Sequence, residues 1–292
     1  MDMEKSTLAF GTCRVAGPFE VLTESGMKDL EKFPHHLHYP AQVLQAARHY
    51  NGAKVINDRL LYLMSEDSIR KSATREDYVR SHRLEVRTYK GLVKKYDRFV
   101  IELSALNEVI HKGGMFLEYF AKRDLETYKD QLDSLRSQGL IDQVRSSDIS
   151  TRNVDDVYYL YMMREISDFL GNKPILWVSH FDAEAPERVR EARKRCINLV
   201  KRGAKETGGH FFDPSIVLRT LGQKKALKEN GEDLSHFTDE ANAVLADVYR
   251  SWIETGRHKW IKSPLTRIGF WRNLVLKASG LALIASTGYY FA

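Results

Sequence analysis

Residues 8–14 are LAFGTCR, an apolar run that ends in a glycine turn carrying a thiol. With Ser6 and Thr7 before it, the run predicts a first, buried strand. The residue after such a strand lies at the carboxyl end of a parallel sheet, where the amides of the following helix also point. Those amides favour a thiolate, so Cys13 is a candidate nucleophile. The alternative is a small buried residue at a tight turn.

Further apolar runs and amphipathic segments alternate along the chain. Strands are predicted for FVIELS (99–104), KPILWVSHF (173–181) and HFFDP (210–214), while AKVINDRLLYLM (53–64) is strand or mixed structure. Helices are predicted for residues 40–50, 185–208 and 237–256. One face of the last helix gathers its apolar side chains, namely Ala241, Val244, Leu245, Val248 and Trp252. Strands separated by helices indicate an α/β fold, a parallel sheet with helices on both faces.

The domain organisation follows from length and from one interruption of this alternation. A chain of 292 residues, 43% of them hydrophobic, suits one large domain with an insertion. We expect an α/β domain over residues 1–256 and a separate tail over residues 257–292. Residues from about 105 to 170 are highly charged and are expected to be a mostly helical insertion. This insertion is either a lid or acceptor-binding subdomain, or a helical pair that extends the core.

A base for the thiol is offered by residues 233–236, DLSH, just before the last predicted helix. A nucleophile needs such a base. Asp233 and His236 are three residues apart, so both side chains can face one site. In pairs of this kind the imidazole takes the proton of the nucleophile and the carboxylate fixes the imidazole tautomer. The tetrad makes a purely structural role the less favoured interpretation of Cys13.

These two motifs together resemble the SGNH (GDSL-type) hydrolase superfamily, whose first block is Gly-Asp-Ser and whose last block is Asp-x-x-His. Here the blocks are Gly11-Thr12-Cys13 and Asp233-x-x-His236. In having a cysteine in the first block, this chain is similar to two offshoots of the superfamily. These are the GSCFA-type domains and the capsular-polysaccharide acetyltransferases that bind coenzyme A. The resemblance implies a flavodoxin-like three-layer sandwich with Cys13 as nucleophile, His236 as base and Asp233 orienting that base.

The donors of an oxyanion hole are less clearly marked, because the third block of the superfamily, Gly-x-Asn-Asp, has no match. Its place is taken by ELSALNEV, in which Ser104 and Asn107 are candidate donors. Gly11 and Thr12, beside the thiol, are candidates for backbone contacts with an oxyanion or a substrate.

Three other polar residues near predicted strand ends are candidate substrate contacts. Arg14 is suited to an anionic phosphate or carboxylate, or to a surface salt bridge. His38 precedes a helix and His180 ends a strand, so both are expected at the carboxyl edge of the sheet. His180 is a rival base, an acceptor contact, or a hydrogen-bonded strand-end histidine. The segment HHLHYP (35–40) lacks helical spacing and a carboxylate partner, so its three histidines are expected in a loop and no metal is predicted.

Cysteine in place of serine changes the acyl-enzyme from an oxygen ester to a thioester. Exchange with a thioester donor such as acyl-CoA is then nearly thermoneutral, and transfer to a sugar hydroxyl held nearby is downhill. We therefore predict an acyltransferase that moves an acyl group, with acetyl as first choice, from acyl-CoA to a glycan or glycolipid hydroxyl. No tightly bound cofactor is expected. The alternatives are an SGNH-type esterase or thioesterase, and a non-catalytic carbohydrate-binding or scaffold protein of a polysaccharide pathway.

Basic charge is concentrated in the tail. Residues 257–292 hold six of the 45 Lys and Arg residues and none of the 39 acidic ones, so the body of the chain is neutral and a nucleic-acid partner is disfavoured. Trp260, Phe270 and Trp271 lie among these basic residues, and residues 278–292 are uncharged and largely apolar. The pattern predicts contact with an anionic membrane surface. The alternative is a helix that packs on the domain or on a second subunit of a homo-oligomer.

Cysteine usage and the N-terminus bear on the compartment. Two cysteines make no disulfide framework, and the acidic N-terminus has too short an apolar stretch for a signal peptide. We therefore expect a cytoplasmic protein, peripheral at the inner face of the membrane.

Overall fold

Five parallel strands form the central sheet of the computed structural model, which describes residues 6–53, 55–64 and 87–256. In chain order the strands are β1 (Thr7–Gly11), β2 (Leu30–His36), β3 (Arg98–Leu103), β4 (Asn107–His111), β5 (Ile149–Asn153), β6 (Ile175–Ser179) and β7 (His210–Phe212). The order in the sheet is β2-β1-β3-β6-β7, and each neighbouring pair is parallel. β4 and β5 pair separately in an antiparallel ribbon.

Helices cover both faces of the central sheet, which confirms the predicted α/β class. In chain order they are α1 (Cys13–Glu24), α2 (Pro40–Arg48), α3 (Leu92–Lys95), α4 (Ala121–Thr127), α5 (Lys129–Ser137), α6 (Asp156–Phe169), α7 (Glu187–Glu206), α8 (Ser215–Leu221), α9 (Gln223–Ala226) and α10 (Asp239–Thr255). α1 packs on α10 on one face, and α6 packs on α2 and α7 on the other. The result is a three-layer sandwich.

Side chains of the central strands alternate between two apolar cores. Phe10 and Trp177 belong to the core that includes α2, α6 and α7, whereas Ala9 and Val178 belong to the core that includes α1 and α10. All residues of β3 and β6 are buried. Burial on both faces explains why these strands, RFVIEL and ILWVS, are mostly apolar in sequence. Each large side chain buried in this way contributes about 1.5–3 kcal/mol to stability.

Gly17 allows α1 and α10 to approach closely. A Cβ atom at this position would lie 2.8 Å from Asn242 Nδ2 on α10. Because α1 begins at Cys13 and α10 follows the 233–236 loop, this contact fixes the distance between the two predicted blocks.

The prediction of a mostly helical stretch over residues 105–170 needs correction. The stretch contains the β4–β5 ribbon, and its last helix, α6, belongs to the main helical layer. The short strand Asn107–His111 follows β3 closely along the chain. The charged segments after it have helical periodicity, and this periodicity dominates the sequence pattern of the stretch. The alternative of a core extension holds for α4 and α5, since Leu125 and Leu132 are buried in the core.

The loop assignment of the 35–40 segment is also partly wrong, because His35 and His36 end β2. Charged residues and Pro34 conceal this strand in the sequence. Proline is tolerated there because β2 is an edge strand, where its missing N–H breaks no central ladder. Residues 58–64, predicted as strand or mixed, form a 3-10 helix (Asp58–Met64).

The predicted membrane-surface segment, residues 257–292, lies outside the described residues. In the ranges that the structure describes, no helix is long and apolar enough to cross a membrane.

Candidate active site

The candidate site lies where the carboxyl ends of β1 and β3 diverge. From β1 the chain passes outward to β2, and then returns to β3 on the other side of β1. Such a reversal of strand order opens a crevice at the carboxyl edge of a sheet. Cys13 is the first residue of α1, directly beyond β1, and is half-buried at this crevice. The predicted position of the thiol is therefore confirmed.

Glu102, at the end of β3, holds the turn that carries the thiol. Its fully buried carboxylate accepts hydrogen bonds from the Thr12 amide (2.7 Å) and the Thr12 hydroxyl (2.8 Å). It also forms a buried ion pair with Arg14 Nε. A Cβ atom at Gly11 would lie 2.6 Å from Glu102 Cβ, so only glycine fits between the two strands here. One carboxylate thus fixes the residues on both sides of Cys13.

The thiol itself faces the 233–236 loop. Cys13 Sγ donates to the Ser235 carbonyl at 3.4 Å, and Arg14 Nη1 donates to the same oxygen at 3.4 Å. Burial raises the pKa of Cys13, although the Arg14 charge opposes this rise. The resting group is therefore a thiol at neutral pH, and it needs a base before it can attack.

Asp233 and His236 form the predicted pair. His236 Nδ1 donates to Asp233 Oδ2 at 2.7 Å, while the amides of Ser235 and His236 donate to Asp233 Oδ1 at 2.8 and 3.2 Å. Burial alone would raise the pKa of Asp233, but these hydrogen bonds outweigh it and lower the pKa. Because Nδ1 carries the proton, Nε2 of His236 is the basic nitrogen.

Among the contacts of the described residues, the Cys13 thiol bonds to Ser235 and not to His236. The thiol of Cys13 nevertheless contacts the residue next to His236, because Ser235 directly precedes that histidine in the loop. Catalytic hydrogen bonds are often loose in a site without substrate and close when it binds. Proton transfer from the thiol to His236 therefore requires the side chain of Cys13 or of His236 to rotate.

Two arginines anchor the loop that holds this pair. Arg14 reaches Ser235, as described, and Arg193 Nη2 on α7 donates to the Leu234 carbonyl at 2.8 Å. Both guanidinium groups lie against the ring of Phe181, at 5.6 and 5.3 Å from its centroid. Burial, together with the nearby charge of Arg14, lowers the pKa of Arg193 to about 10. The loop is therefore held to both helical layers.

Of the remaining candidate residues, some lie at the site and others are engaged elsewhere in the structure. His38 and Ser104 lie at the edge of the site, with His38 Nδ1 3.3 Å from Ser104 Oγ. Asn107 instead lies in β4, where its side chain bonds to Asn153. The Thr12 amide, considered as an oxyanion contact, is occupied by Glu102. No group of three or more His, Cys, Asp or Glu suited to a metal ion occurs in the described ranges.

His180 is a neutral imidazole at the end of β6. Its Nδ1 donates to the Phe181 carbonyl at 2.9 Å, which leaves Nε2 as an acceptor. Burial, helped by the charges of Arg14 and Arg193, lowers its pKa well below the ordinary value. A base with so low a pKa is a weak rival to His236, and a contact to a substrate hydroxyl suits it better.

The fold and the site define an α/β protein in which a cysteine follows the first strand of a parallel sheet and faces an Asp-x-x-His loop. The parallel sheet, the turn after β1 and the Asp-x-x-His loop before the last helix all agree with the predicted resemblance. The chain belongs to the TviD N-terminal domain family, whose model matches residues 6–252.

The curated relative matches less of the chain than the family model does. The Vi polysaccharide biosynthesis protein TviD of Salmonella typhi is 29% identical over 119 residues, which is 40% of this chain and 14% of that protein. The match thus spans about a seventh of the length of this curated relative. Structures of two catalytic mutants of an acetylxylan esterase from Geobacillus stearothermophilus are similar at TM-scores of 0.41 and 0.38, with 14% and 15% identity. They cover 90% of this chain and 100% of the esterase.

Proposed function

We propose that this chain is a thiol-dependent acyltransferase that moves an acyl group, acetyl as first choice, onto a hydroxyl of a glycan or glycolipid. The observation that carries the proposal is the placement of Cys13 at the start of α1, facing the loop that holds the Asp233–His236 pair. The name of the Salmonella relative supports a role in polysaccharide biosynthesis.

In the first step His236 Nε2 takes the proton of the Cys13 thiol, and the sulfur attacks the carbonyl carbon of the donor. Asp233 stabilises the imidazolium that forms. The positive end of the α1 helix dipole lies beside Cys13 and favours the negative charge of the developing oxyanion. The imidazolium then returns the proton to the leaving thiolate of coenzyme A, and a Cys13 thioester remains.

In the second step the acceptor hydroxyl attacks this thioester. An O–C bond forms, the C–S bond breaks, and Cys13 regains a proton to restore the resting thiol. A thioester stores enough free energy for transfer to an alcohol to be downhill. An acceptor held next to the thioester therefore competes well with water, because its effective concentration is high.

Acyl-CoA as the donor, and an anionic membrane surface as a partner for the tail, belong to the same proposal. The donor is inferred from the thioester chemistry of Cys13. The surface is inferred from the six basic residues and the tryptophans within residues 257–292. A glycolipid acceptor would place the reaction at such a surface.

The proposed function is tested by measuring whether the acyl donor is consumed in step with the formation of acylated acceptor. Purified protein is incubated with acetyl-CoA and a panel of bacterial polysaccharide fragments, and released coenzyme A thiol and O-acetyl glycan are measured together. We expect the two products to appear in equal amounts with at least one glycan. Acetyl-CoA left intact while simple acetyl esters are hydrolysed would instead establish the alternative function, an esterase of the same fold.

A further inference from the structure

A second set of polar side chains lies at the same edge of the sheet and has no part in the acylation of Cys13. His38 Nδ1 is 3.3 Å from Ser104 Oγ, and His38 Nε2 is 3.7 Å from Glu118 Oε1. The His38 imidazole thus lies between the Ser104 hydroxyl and the Glu118 carboxylate. Glu118 is only 5% exposed, and a carboxylate is costly to bury unless polar groups stabilise it.

The register of the strands places this set beside the thiol. β1 lies between β2 and β3, and Cys13 follows β1. The amide of Leu37, just beyond β2, donates to the Gly11 carbonyl at 3.4 Å, and His38 is the next residue. Ser104 directly follows β3, and its amide donates to the His38 carbonyl at 2.8 Å. His38 and Ser104 therefore stand at the ends of the two strands that flank the nucleophile strand.

The chemistry of the partners assigns the protons. A carboxylate can only accept, so the Nε2 proton of His38 faces Glu118, and the Nδ1 lone pair accepts the hydroxyl proton of Ser104. In the described part of the chain His38 Nε2 is buried and makes no hydrogen bond, and Glu118 Oε1 at 3.7 Å is close enough to attract its proton without a direct hydrogen bond. The Ser104 oxygen keeps its lone pairs for a group in the crevice. Its hydroxyl proton is engaged, so Ser104 suits an incoming hydroxyl better than an oxyanion.

Packing fixes the orientation of the imidazole. The His38 ring lies 5.2 Å from the Tyr119 ring and 6.0 Å from the Phe120 ring, measured between centroids. Its backbone amide is held by Gln42 Oε1 at 2.9 Å. A histidine held by rings and by its backbone has few other rotamers, as a proton relay requires.

We propose that Glu118, His38 and Ser104 form an acceptor relay, which binds and deprotonates the hydroxyl that receives the acyl group. The inference rests on the proposed function of the Cys13 site. As the acceptor oxygen bonds to the thioester carbon, its proton passes to Ser104 Oγ and the serine proton passes to His38 Nδ1. The C–S bond breaks, and the proton on His38 returns through water to the Cys13 thiolate.

The relay predicts that acylation and transfer can be separated by substitution. The variants Ser104→Ala, His38→Gln and Glu118→Gln are first acetylated with p-nitrophenyl acetate, and the Cys13 adduct is followed by intact mass. A methyl hexopyranoside or glycerol is then added as the acceptor probe. We expect acylation within about 2-fold of the wild-type rate, but transfer to the probe slower by about 10²-fold, the usual contribution of a general base.

Two further variants control the experiment. Ser104→Thr keeps the hydroxyl and is expected to restore most of the transfer, which a merely structural role of Ser104 would not require. Ser134→Ala removes an exposed serine on α5 and is expected to transfer as the wild type does. Unchanged acylation serves as the check that each variant is folded.

The outcomes separate this inference from the proposed function. If the wild-type adduct forms on Cys13 and all three relay variants transfer it at the wild-type rate, the relay is wrong and the proposed function stands. If the wild type forms no adduct on Cys13, or carries it on Ser104, the proposed function fails and the acceptor relay fails with it.

Discussion

Replacing Cys13 by alanine is expected to lower acyl transfer by 10⁴-fold or more, on the order of the loss of an essential nucleophile. His236→Ala removes the base and is expected to cost about 10³-fold, within the usual contribution of general base catalysis. Asp233→Asn keeps a hydrogen bond to the imidazole but removes the charge, and a smaller loss of about 10²-fold is expected. Each tenfold step corresponds to about 1.4 kcal/mol of transition-state stabilisation.

The matched control for the first variant is Cys196→Ala. Cys196 is the other cysteine of the chain, buried on α7, where its thiol donates to the Leu103 carbonyl at 3.5 Å. Burial raises its pKa to about 11, so it is an unreactive thiol enclosed in the core. We expect its loss to reduce stability slightly and to leave the turnover number unchanged. Full activity in Cys13→Ala would contradict the nucleophile assignment.

Replacing Glu102 by glutamine is expected to be the most damaging single change to stability, at about 3–5 kcal/mol. The substitution leaves the buried Arg14 guanidinium without a counter-charge. It also weakens the hydrogen bonds that hold Thr12 in the turn. Because Arg14 in turn contacts the Ser235 carbonyl, the 233–236 loop is expected to loosen together with the turn.

Urea denaturation measures this effect, with Glu165→Gln as the matched control. Glu165 is paired with Arg48 at 3.2 Å, but both side chains are about a third or more exposed, at 32% and 42%. Exposed pairs of this kind contribute about 1 kcal/mol or less. If the free energy of unfolding fell equally in the two variants, the buried Arg14–Glu102 pair would not hold the turn as described.

The sequence was informative where a local pattern determines the structure. The apolar runs of β1, β3 and β6 are buried on both faces, so their composition alone predicts them. The edge strand β2 was missed because its charged residues and Pro34 resemble a loop, and its pairing to β1 is a long-range property. For the same reason the short β4–β5 ribbon was not separated from the helices around it.

The residues of the candidate site also differ in how readily the sequence predicts them. Cys13 and the Asp233–His236 pair were predicted because each belongs to a short motif with a chemical reason for its spacing. Glu102 was not recognised, since its partners Thr12 and Arg14 are 90 and 88 residues away along the chain. Arg193 was equally hidden within a charged helix, where nothing distinguishes it from its exposed neighbours until the loop is seen against it.

The central claim, that Cys13 carries the acyl group, is tested most directly by locating that group. Wild-type protein is mixed with acetyl-CoA without acceptor, quenched in acid within one turnover, digested and mapped by mass spectrometry. The account predicts one acetyl group on Cys13, sensitive to neutral hydroxylamine as a thioester is, and absent from Cys13→Ala. An acetyl group on another residue, or acyl transfer to a glycan without any acetylated Cys13, would contradict the claim.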